Sequence, residues 1–190
     1  MRYTKIPQDT FKKLQLTAGV LVSEFEPDTG TVVESNILGA TSGGVNFSAT
    51  PEYRDDGEDI DNCPKNMKEL KKLDSWTAVI SGTFLTMDTA QAKSLIAAAD
   101  VAENKITPRN DLKTTDFDDI WWVGDYSDEN GNANGGFMAI HLMNALSTGG
   151  FSIQSGDKAK GQFAFEYTAH YSNTSPETVP FEIYIKTGTV

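Results

Sequence analysis

A chain of 190 residues, 38% hydrophobic and 23% charged, is long enough to bury a sizeable core in one domain, and its composition excludes wholesale disorder. A formal charge of −11 excludes a module that grips nucleic acid or anionic membrane through clustered Lys and Arg; it is compatible with a surface along which DNA passes without adhering. The lone cysteine, Cys63, leaves no disulfide within the chain and fits a reducing compartment. With no apolar leader after Met1 and no run of roughly 18 apolar residues, a soluble protein made in the cytoplasm is expected.

In chain order, Leu14, Leu16, Ala18, Val20 and Val22 alternate with polar neighbours and predict a first strand. Val45, Phe47 and Ala49 alternate with Asn46 and Ser48 in a second. Residues 51–75 hold almost no aromatic or β-branched residue after Tyr53, which predicts a long loop. Its charges are sorted: Glu52, Arg54, Asp55, Asp56, Glu58, Asp59 and Asp61 come first, then Lys65, Lys68, Lys71 and Lys72. Such a loop is either simply solvated, with a short helix near residues 67–73, or mates with a complementary surface. Residues 76–85 are rich in Thr, Val and Ile and predict a further strand.

A helix is predicted over residues 88–100. Asp88 is placed to cap it with Gln91 closing the box, and Ala92, Leu95, Ile96 and Ala99 form one apolar stripe. Pro108 bars a helix from running on. Strands follow at 120–126 and 137–146, separated by the sequence SDENGNANGG at 127–136, whose Asn-Gly pairs favour a hairpin turn. Further turns are expected at 147–150 and 155–157. The clearest alternation comes last: Phe163, Phe165, Tyr167, Ala169 and Tyr171 share a face, and Phe181, Ile183 and Ile185 repeat the inward pattern.

Catalytic chemistry finds little support. His141 and His170 fall in predicted strands and hold no zinc-ligand spacing with Cys63; no nucleophile elbow or phosphate loop is present. The carboxylates at 55–61 and 116–119 do not read as a glycosidase pair. Asn130, Asn132 and Asn134 before Gly135 echo a calcium loop only loosely, since the twelfth position is His141 rather than Glu. The run 55–61 could hold a cation without any motif. Adjacent Trp121 and Trp122 must face opposite sides of a strand, so at most one enters a given core; the other covers a loop, a helix or another subunit. No cofactor is expected.

The run GGVNFSATPEY at 43–53, the strand WTAVISGTFL at 76–85 followed by the helix after Asp88, and the closing VPFEIYI at 179–185 resemble, over nearly the whole chain, the major tail (tail tube) proteins of long-tailed phages and prophages of Gram-positive bacteria. The resemblance implies a mainly β fold: a two-sheet sandwich or half-barrel flanked by one α-helix, in a single domain over 1–190. It implies a non-enzymatic virion component that assembles with itself into hexameric rings, stacked into a tube, with DNA passing through the lumen unbound. It also implies tape measure, tail terminator and baseplate proteins as further partners, and no membrane.

By position, residues 51–75 would be the loop bridging stacked rings, which Cys63 and Pro64 interrupt as a departure from the pattern. Residues 1–13 would be an arm reaching a neighbour through Tyr3, Ile6 and Phe11. Asn46, Ser48, Thr77, Ser81 and Thr83 would face the lumen, with negative charge supplied by strand ends such as Glu52. Two other readings remain at this point: a sandwich that binds carbohydrate or acts as an adhesin, with Trp76, Trp121 and Trp122 as its platform, and a tube subunit of a contractile injection system.

Overall fold

The alternation read above becomes a mainly β structure with antiparallel sheets and one α-helix. The computed structural model describes residues 15–127 and 130–188, together with residues 7 and 10. Tyr3, Ile6 and Phe11, the expected arm contacts, lie outside the described residues.

Two sheets share one strand. In the first, β1 (Gln15–Leu16) and β2 (Val20–Val22) both pair with β7 (Asp118–Ser127), which pairs with β8 (Ala133–Ser147), which pairs in turn with β10 (Phe181–Lys186). In the second, the far end of β8 pairs with β9 (Phe163–Thr168), followed by β4 (Lys71–Phe84) and β3 (Thr41–Asp55). β8 serves both because it is 15 residues long and bends. The bend lies at Asn144, a residue type that tolerates its φ of 48°. Register slips there between the Asp118 and Ile120 pairings, and the carboxylate of Asp119 accepts the Asn144 backbone N–H at 2.9 Å.

The main core lies between the sheets: Ile80 and Phe84 from one side, Leu21, Trp122, Ile140 and Leu142 from the other, with Phe165 and Tyr167 beside them. The Phe84 and Phe165 ring centroids lie 4.4 Å apart, with the planes tilted by 33°. A second cluster, Val22, Phe25, Trp121, Val123 and Phe137, covers the opposite face of the first sheet. Trp121 and Trp122 thus face opposite sides, and both are buried within the chain.

α1 (Thr89–Ile96) closes one end of the sandwich. The Asp88–Gln91 capping box forms, and the Gln91 amide also donates to the Leu38 carbonyl. The helix is shorter than the expected 88–100. Ala97 takes φ of 63°, and from Ala99 the chain enters a hairpin of β5 (Ala99–Ala102) and β6 (Lys105–Pro108). Ala99 therefore extends a strand rather than the helical stripe. Arg109 anchors this hairpin, lying 3.0 Å from Asp100 and 2.7 Å from Asp116, and strand pairing there overrides the helix propensity of the Ala-rich run.

Two alternations are corrected. Between β1 and β2, Gly19 at φ of 71° breaks the N-terminal strand, so adjacent Leu21 and Val22 are both buried while Leu16 is exposed. In β10, Phe181 packs against Phe47 and Trp76, but Ile183 and Ile185 are 43% and 63% exposed, no described element covering them.

Candidate functional site

The surface that gathers most of the sequence-predicted residues is the outer face of the second sheet. Registers Asn46↔Ser81, Ser48↔Val79 and Thr50↔Thr77 put Asn46, Ser48, Thr77, Ser81 and Thr83 on one face of β3 and β4. Ile80 and Ala78 point the other way, into the core. All five lumen candidates are therefore together. β9 extends the face, because Ser81 pairs with Glu166 and Val79 with Thr168. Thr148 Oγ1 lies 3.0 Å from Glu166 and 2.8 Å from the Thr168 hydroxyl. At one end Ser75 donates to Glu52 at 3.0 Å. The face thus holds two carboxylates, Glu52 and Glu166, and no Lys or Arg over these positions. Sequence reading looked to strand ends such as Glu52, or elsewhere in the chain, for the charge and did not name Glu166. The signal for Glu166 lay in its alternation with buried Phe165 and Tyr167.

Residues 51–75 prove not to be one loop. β3 runs to Asp55 and β4 starts at Lys71, leaving residues 56–70 as the tip of a hairpin. β9 pairs with β4 only from Val79 onward, so the distal hairpin projects as a two-stranded ribbon. Cross-strand charge stands in for the missing β-branched residues. Arg54 meets Asp74 at 2.8 Å and Asp56 at 3.0 Å, Lys72 meets Asp56 at 3.1 Å, and Lys71 lies over the Tyr53 ring. The Asp55 carboxylate accepts the backbone N–H of Asn66 at 2.9 Å and of Gly57 at 3.0 Å; these bonds hold its pKa below the usual carboxylate range. Much of the sorted charge is thus matched within the ribbon. Glu58, Asp59, Asp61 and Lys65 are exposed at the tip, where Lys68 meets Glu69, its neighbour in sequence, at 3.5 Å. Cys63 lies beside Met67 there, with Sγ 3.5 Å from Sδ.

Among the described residues, β3 pairs only with β4 and β10 only with β8. β3 presents an unpaired main-chain edge along 15 residues, which invites pairing with another strand.

The other candidates resolve into structural roles. Trp76 packs edge-on to Phe181 at 5.6 Å, Trp122 lies in the main core and Trp121 in the outer cluster, so the three do not form one exposed platform. His141 stacks on Trp121 at 3.9 Å, with Nε2 3.1 Å from Asp119. His170 turns Nδ1 to the Asn144 carbonyl at 3.2 Å. Asn130 and Asn132 lie in the turn between β7 and β8, and Asn134, at the start of β8, accepts the Gly136 N–H through Oδ1 at 3.0 Å.

Asp116, with a side chain only 3% exposed, accepts the Lys113 backbone N–H at 2.9 Å and both contacts from Arg109 Nη2 at 2.7 Å. The Lys113 bond first, then Arg109, holds its pKa below the ordinary value. A carboxylate whose pKa is lowered by folding adds stability above the unfolded value of about 3.9, and that stability is lost as pH falls through the folded value. Asp116→Asn is therefore expected to flatten the acid side of the stability–pH curve, read as urea midpoints between about pH 2 and 6. An unchanged acid slope would remove Asp116 as a source of that dependence.

No family model matches the chain, and no curated protein matches it.

Proposed function

We propose that the chain is a structural subunit, not an enzyme, that assembles with copies of itself into a tube: the tail tube of a bacteriophage, built of stacked hexameric rings through which DNA passes. The observation that carries this reading is the open edge of β3, running beside a polar face that, from Asn46 to Glu52 and across β4 to Glu166, holds carboxylates and no Lys or Arg. Copies that pair along such an edge satisfy it. If their rotation closes they form a ring, and unlike ring faces stack into an open filament. A face bearing Glu52 and Glu166 repels a phosphate backbone, as a conduit requires. On this reading the subunit works in the virion tail, with tape measure, terminator and baseplate proteins as its other partners. The mainly β architecture with antiparallel sheets and one α-helix is compatible with this reading.

Negative-stain electron microscopy of the purified chain over a concentration series tests this directly. Hollow rings or tubes with six-fold symmetry are expected. A particle that remains monomeric at every concentration, including after addition of pre-formed tail tips, would overturn the reading.

A further inference from the structure

The inner side of the first sheet carries an apolar row that no described element covers. Gly124 pairs with Met138 and Met138 with Ile185, and a Cβ on Gly124 would lie 3.4 Å from Leu16 Cδ1. Leu16, Met138 and Ile185 therefore stand side by side across β1, β8 and β10. Ile183, paired with the core residue Ile140, belongs to the next row inward. The second sheet stops short of them. Phe181 meets Phe47 and Trp76, whereas Leu16, Ile183 and Ile185 are 40%, 43% and 63% exposed. Contiguous exposed apolar side chains of this kind mark a contact surface.

The place of the row singles out its occupant. Gln15 pairs with Ser127 and Leu16 with Tyr126, so the chain enters β1 from beyond the Ser127 end of β7. The row lies at that same end of the sheet. Residues 1–13 thus join the fold at its margin. They hold Tyr3, Ile6 and Phe11, with Arg2, Lys5, Lys12 and Lys13 against the single carboxylate Asp9, in a chain of formal charge −11. From β1 to β10 is three strand spacings, about 14 Å. Phe11 precedes Gln15 by four residues, a reach of about 13–14 Å when extended. A tethered segment within reach is present at roughly millimolar effective concentration, which favours it over a second copy free in solution.

We propose that residues 1–13 lie across the inner face of their own subunit's first sheet, with Phe11 against Met138 and Ile185. The apolar side chains of the segment close the row, and its cations remain at the surface of an acidic chain. This contact is within one copy, unlike the arm to a neighbour that the resemblance implies. It belongs to the subunit itself and holds whether or not copies assemble.

The test places a photo-reactive phenylalanine analogue at Phe11 in the full chain, or at Ile6 in a second variant. ¹⁵N-labelled and unlabelled copies are mixed, cross-linked and mapped by mass spectrometry. Links within one copy, ending at residues 138–140 or 183–186, are expected. Ile185→Asp sets a charge against the segment's apolar side chains and should lower their yield about threefold or more. That side chain is exposed, so the unfolding midpoint should barely move. Carbene footprinting gives a second measurement: removal of residues 1–13 should raise labelling of Ile183 and Ile185 about twofold or more. Links between copies, links ending elsewhere or no link from either position overturn the inference, as does labelling that the deletion leaves unchanged. The tube reading stands or falls separately, by microscopy.

Discussion

Trp122→Ala is expected to lower stability by about 3–5 kcal/mol, the range for removing a large aromatic from a packed core. The indole lies between the two sheets, 7% exposed, and its Nε1–H donates to the Ala18 carbonyl at 3.1 Å. The backbone is shaped around it: a Cβ added at Gly19 would come within 2.5 Å of the ring, and one at Gly124 within 2.7 Å. Gly19 also needs its φ of 71°. Truncation therefore empties a seat that the surrounding glycines cannot fill. Trp121→Ala is expected to cost less, about 2–3 kcal/mol, because its cover is the irregular segment after β2, which can settle inward. Urea unfolding followed by circular dichroism measures both. A larger loss at Trp121 than at Trp122 would mean that the principal core has been assigned to the wrong face of the first sheet.

Replacing residues 56–70 by Asn-Gly is expected to leave a folded chain that no longer builds tubes. Asp55 and Lys71 are directly paired, and a two-residue turn joins such a pair in the twist that the strands require. The lost ion pairs of Asp56 are solvent-exposed and worth little. The unfolding midpoint should therefore move by no more than about 1–2 kcal/mol equivalent, with the shorter loop offsetting part of the loss. On the proposed tube reading assembly should fall far more, because the projecting tip would be the part that reaches another ring. Rings without long tubes by electron microscopy are the expected result. Tubes of ordinary length from this variant would show that stacking does not use the tip.

The ribbon also shows why residues 51–75 misled a reading based on propensity. Lys, Arg and Asp are poor strand formers individually, yet alternating across a hairpin they make cross-strand pairs. Those pairs appear only once register is known, and register follows from the Val45–Glu52 alternation meeting that of Ser75–Gly82. The shortened helix has the same kind of cause. Its capping box is local and was legible; its end comes at Ala97, at φ of 63°, where the hairpin that Arg109 ties through Asp100 and Asp116 follows.

The sequence by itself determined the acidic charge, the mainly β character, the start of the one α-helix, and the faces of β3, β4 and β9. Those properties depend on composition and on periods of two and 3.6, which are local. The tertiary structure decided what covers each face. It sent Trp122 to the core and Trp121 to the outer cluster, left Ile183 and Ile185 in the open, joined two sheets through the bend at Asn144, and brought Glu166 beside the polar face of β4. Periodicity states which side chains point together; only the packing of elements distant in sequence determines whether they meet a core, a neighbouring strand or solvent.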